Sequence, residues 1–90
     1  MFEQMVELGK KLDIWNVDVS ELKFVDLREY GLDAVSMYEP IKGGKQVIIG
    51  SDWKVLMVSS VLSLEKAIDE IKHNDVWKYA VDVKIELMGK

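Results

Sequence analysis

Residues 34–59 read AVSMYEPIKGGKQVIIGSDWKVLMVS. Short apolar runs bounded by turn residues are the mark of an antiparallel meander, and this stretch holds three of them. A strand over residues 34–39 ends at Pro40, which cannot donate to a ladder. Gly43-Gly44 supplies the backbone freedom of a tight hairpin. A second strand follows over 46–49, and Gly50-Ser51-Asp52 turns the chain into a third over 53–59. Val47-Ile48-Ile49 and Val55-Leu56-Met57-Val58 are apolar at consecutive positions, so both faces of these central strands need cover. Either two helices lie on opposite sides of the sheet, or a second copy of the chain does the covering.

Upstream, Phe2, Met5, Val6, Gly9 and Leu12 follow the i, i+3, i+4 spacing of one helical face, which predicts a helix over 2–12. Glu3 and Glu7 near its start and Lys10 and Lys11 near its end agree with the helix dipole. Two readings compete for the next stretch. Asp18 followed by Glu21 resembles a capping box that starts a helix at Val19, whereas Leu22, Phe24 and Val25 suit a short strand over 22–26, the reading adopted. Gly31 breaks the chain before the meander.

Downstream, Ser63 caps a helix with the stripe Leu64, Ala67, Ile68 and Ile71, closed by His73-Asn74-Asp75. Strict alternation then places Trp77, Tyr79, Val81, Val83, Ile85 and Leu87 on one face and predicts a long strand over 77–88. The sum is an α+β fold in one domain spanning 1–90. Its mostly antiparallel sheet comprises the three-stranded meander, the long C-terminal strand and a fifth short strand, packed with two α-helices.

Composition narrows the function. No apolar run approaches the ~20 residues of a membrane-spanning helix. The N-terminus shows neither the basic n-region nor the apolar h-region of a secretory signal, so no membrane partner and a cytoplasmic location are expected. With no Cys in 90 residues, disulfides, Cys-ligated metals and thiol catalysis are excluded. His73 is the single histidine, with no nucleophile motif around it, and its place at a helix end suits a structural role. No enzyme activity and no cofactor are therefore expected. Asn16, Asp18 and Ser20 alternate like calcium-loop ligands, but Glu21 stands where the turn needs Gly and Leu27 where the loop needs Glu, so no metal site is assigned. Lys42-Gly43-Gly44-Lys45 lacks P-loop spacing and reads as a hairpin turn.

The formal charge is −4, with 16 acids against 12 bases, and Arg28 is the only arginine. Neither clustered bases nor bidentate arginines are present, so no nucleic-acid partner is expected. The acidity concentrates between residues 13 and 39. There Asp13, Asp18, Glu21, Asp26, Glu29, Asp33 and Glu39 face only Lys23 and Arg28, a formal −5, while the remainder carries +1. Such a stretch would steer a protein with a basic surface toward it. Trp15, Trp53, Tyr30 and Tyr38 lie at element ends or beside the acidic stretch, and such aromatics serve as core caps or as contact anchors. The expected function is that of a small, acidic, non-enzymatic protein-binding module, of the inhibitor, immunity or phage-blocker type, acting by occluding or tethering another protein. Asp26, Glu29, Asp33, Tyr38 and Trp53 are its candidate contact residues. The alternative is a structural homodimer, or a subunit of a larger assembly.

Overall fold

The structure is a computed structural model that describes residues 2–59 and 61–82, with the backbone alone at 81 and 82. The chain is α+β: an antiparallel sheet and two helices, α1 over Phe2–Lys10 and α2 over Leu64–His73. The sheet strands are β1 Lys23–Asp26, β2 Ala34–Tyr38, β3 Gln46–Gly50 and β4 Lys54–Val58, each antiparallel to the next. A two-residue strand, β5 Val81–Asp82, pairs with Val55 and Lys54 at the outer edge of β4. Among the described residues, no helix is long and apolar enough to cross a membrane.

The consecutive apolar residues of β3 divide between two cores. Val47 and Ile49 join Val35 and Met37 of β2, Val55 of β4 and Met5 and Val6 of α1 on one face. Ile48 joins Ala34, Leu27 and the α2 residues Ala67 and Ile68 on the other. The two helices thus provide the double cover that the central strands need. Where α1 crosses the sheet the approach is close. A Cβ at Gly9 would stand 2.6 Å from Ile49 Cδ1 and closer still to Met37 Sδ, so a larger residue there would have to displace the ends of those two side chains for this helix to settle onto β2 and β3. The helix ends at Lys10 rather than continuing to 12. Lys11 and Leu12 donate instead to Leu8 and Gly9, three residues back, and the Trp15 indole adds a second hydrogen bond to the Gly9 carbonyl at 2.9 Å, tying the following loop to the helix end.

Both readings of residues 18–26 are realised in succession. The Asp18 side chain accepts from the Ser20 amide to start one 3₁₀ turn, Val19–Glu21, and β1 follows directly. The sequence-based strand over 77–88 is corrected. Asp75 takes a left-handed backbone (φ 53°) and Val76–Tyr79 form a 3₁₀ turn, so pairing resumes only at Val81. Trp77 turns inward onto the α2-side core and its indole N–H donates to Asp52 at 2.8 Å. That tertiary contact defeats the local period of two, and it leaves Tyr79 70% exposed rather than beside Trp77 on a buried face. Residues 83–88 of the expected strand lie outside the described residues.

Candidate functional site

Strand register brings most of the sequence-predicted contact residues to one end of the sheet. Asp26 pairs with Val35, and Ala34 with Gly50, so the ends of β1 and β3 and the starts of β2 and β4 converge there. Glu29 lies in the 3₁₀ turn Leu27–Tyr30 that links β1 to β2, and Asp33 immediately precedes β2. The Ser51 amide donates to the Asp33 carbonyl at 3.0 Å, tying the β3–β4 turn to this end. Tyr38 is the exception. It closes the far end of β2, opposite Lys23 and Gln46, and stands half-buried in a cavity near the 39–45 hairpin.

The acids of this end differ in what they do. Asp26 caps the 3₁₀ turn through the Arg28 amide and clasps the Arg28 guanidinium with both oxygens. Hydrogen bonding from Arg28 holds its carboxyl below the usual carboxylate range, and Asp26 raises Arg28 in return. The guanidinium also sits 5.2 Å from the Phe2 ring centroid, so Asp26 is engaged in local structure. Glu29 and Asp33 are exposed, and among the described residues their carboxylates have no ion-pair partner within 4 Å.

The turn at this end carries Trp53. Its amide donates to the Gly50 carbonyl at 3.0 Å, and its φ of 62° is left-handed, the geometry of a tight turn followed by one αL residue. For a residue with a Cβ that conformation costs roughly 1–2 kcal/mol. Trp53 packs, half-buried, against the α1-side core, so it sits at the same end as Asp33 but over the opposite face.

On the α2 face of the same end lies a cavity of about 220 Å³, lined by Leu32, Ala34, Ile48, Ile71 and Trp77, with Asp33, Ser51 and Asp52 at its polar part. Asp52 and Trp77 are functional candidates that the sequence reading missed. Asp52 Oδ1 accepts from the Lys54 amide and Oδ2 from the Trp77 indole, fixing the carboxylate and the indole as a unit. Gly50 permits this arrangement. A Cβ there would lie 2.7 Å from both the Trp77 ring and Asp52 Oδ1. The sequence marks Gly50 and Asp52 as turn residues but carries no signal of a partner 25 positions onward.

Glu39, counted in the sequence as part of the acidic stretch, is 3% exposed. Its carboxylate accepts from the amides of Lys45 (2.8 Å), Val17 (3.1 Å) and Asn16, and its own amide donates to the Lys45 carbonyl. Hydrogen bonding from the Lys45 amide, helped by those of Asn16 and Val17, holds its pKa below the ordinary value, while desolvation pushes the other way. Glu39 is thus a staple between the 13–17 loop and the hairpin, and its charge is spent inside the fold.

His73 faces Asp69 one helical turn back, at 3.6 Å, on exposed helix surface. Among the described residues, no group of three or more His, Asp or Glu side chains is placed to hold a metal ion. Comparison of the chain with protein-family models, with curated proteins and with solved structures gives no match.

Proposed function

We propose that this chain is a non-enzymatic protein-binding module that occludes or tethers a partner with a basic surface, and that it does so through the acidic end of its sheet. The observation that carries the reading is that Asp33 and Asp52 line an apolar cavity walled by Trp77, with Glu29 exposed in the turn that leads to Asp33. Uncompensated carboxylates around a concave apolar patch combine long-range attraction with a short-range anchor. Asp26 is set apart from the steering group because its charge is paired with Arg28, and Glu39 because it is buried. Asp52 accepts only from neutral donors, the Lys54 amide and the Trp77 indole, and stays exposed. The test is the association rate with a captured partner as ionic strength is raised. The parent's rate should fall steeply with salt, while a Glu29→Gln/Asp33→Asn/Asp52→Asn variant should associate more slowly at low salt and respond little to it. Equal rates at low salt would contradict the reading.

A second reading, self-association, draws on a different surface. Met57 and Tyr79 line a groove of about 370 Å³ between β4 and α2, and Val61, in the turn that leads to α2, is 92% exposed. Apolar side chains gathered at a strand edge favour contact between copies. An obligate dimer would show a melting temperature that rises with protein concentration; a flat one counts against it.

A further inference from the structure

The cavity at the acidic end has a shape and a charge that select among side chains. Its inner wall is aliphatic, from Leu32, Ala34, Ile48 and Ile71, and Trp77 closes one side. Only its rim is charged, with the exposed carboxylates of Asp33 and Asp52. At about 220 Å³ it is roomier than the ~150 Å³ apolar cavity that admits a benzene ring. A group that suits it has an apolar body ending in a cation.

We infer that this cavity is the receptor for a lysine side chain presented by the partner protein, its four-carbon stem lying along Ile48, Ile71 and Trp77 and its ammonium meeting Asp33 and Asp52. The inference rests on the protein-binding reading above and names the group that is bound. Lysine stems bury readily against apolar surface while their heads stay at a polar rim. Lysine also fits better than arginine. Each Asp52 oxygen already accepts one hydrogen bond, from Lys54 or Trp77. Those bonds leave a lone pair on each oxygen, but the charge at the rim is divided between Asp33 and Asp52. An ammonium can meet both as a point charge, whereas a planar guanidinium fork matches a single carboxylate. The chain's own Lys72 does not fill the role. Its Nζ lies 3.6 Å from where a Cβ on Gly31 would stand, and among the described residues it makes no ion pair with Asp33 within 4 Å.

The experiment is a titration of the full chain, followed by NMR at the Trp77 indole N–H, with the tripeptide acetyl-Gly-Lys-Gly-amide. Its norleucine counterpart, which has the same stem without the charge, and its arginine counterpart serve as comparisons. Saturable movement of the Trp77 signal with the lysine peptide is expected, at least about tenfold tighter than with norleucine, as one charge-assisted contact implies. Asp33→Asn and Asp52→Asn should each weaken lysine binding. In Asp52→Asn the single amide oxygen can accept from the Trp77 indole or the Lys54 amide but not from both, so Asp33→Asn, which touches neither bond, carries the comparison. No movement with the lysine peptide, equal binding of norleucine, or tighter binding of arginine would each overturn the assignment. The tripeptide titration needs no natural partner, so its failure removes the lysine receptor alone. The protein-binding reading stands or falls separately, on the salt dependence described above.

Discussion

On the α1 side of the sheet, Met5 and Val6 are buried in one cluster with Met37 and Ile49, and a carbon added at Gly9 would have to push the ends of those two side chains aside. On the α2 side, Ala67 and Ile68 are the helix residues that are buried, and cavities open around the helix. One lies by Leu64, one by Ile71, and one along Ala67 and Glu70. The α2 side also holds Ser36, fully buried, whose hydroxyl finds no hydrogen-bond partner among the described residues. One face spends its side chains on density, the other keeps concave surface and imperfect polar pairing. Close packing gives stability, whereas recognition needs surface that folding has not filled.

The largest expected contrast comes from one truncation made on each face. Ile49→Ala, at a fully buried position against α1, should cost about 2–5 kcal/mol in denaturant unfolding. Ile71→Ala, at a half-buried cavity wall, should cost about 1 kcal/mol, because fewer atoms there lose their neighbours. Equal losses would erase the distinction between the faces.

Acid should act through Glu39. Its carboxyl is held below the ordinary value of 4.5, so the stabilisation is fully present above that pH and is lost as pH falls through the lower folded-state value. Glu39→Gln should lower stability at neutral pH and flatten the fall on acidification below about pH 5, measured by urea melts across pH. An unchanged acid slope would mean that the staple is not what holds the hairpin to the 13–17 loop.

Two smaller effects belong to the α2 side. Ser63→Ala removes the side chain that accepts from the Lys66 amide and should cost about 1 kcal/mol. Ser36→Ala removes a buried hydroxyl without a described partner and should be neutral or stabilising by up to about 1 kcal/mol. A loss on Ser36→Ala would show that the hydroxyl is satisfied and that polar pairing on this face is complete.

The fold was legible where local chemistry and tertiary packing agree. Consecutive apolar residues in β3 and β4, separated by Gly50-Ser51-Asp52, demand two-sided burial, and both cores meet on them. Residues 77–80 were misread because the contact that shapes them, Trp77 with Asp52, joins positions 25 apart and outweighs the local alternation. The acidic stretch was legible in the sequence, but the separate structural roles of its members were not. Nothing near Glu39 announces that amides 22 and 23 residues upstream will take up its charge. Nor does a turn aspartate announce that it will hold an indole against a cavity.

The division of labour between the faces is tested most directly by native-state hydrogen exchange, residue by residue. Amides of α1, β2 and β3 should exchange only through global unfolding, with free energies equal to that from denaturant melts, while those of α2 and the Val76–Tyr79 turn should open locally at lower cost. If α2 amides are protected to the same level as those of α1, the two faces are equally closed and the account is contradicted.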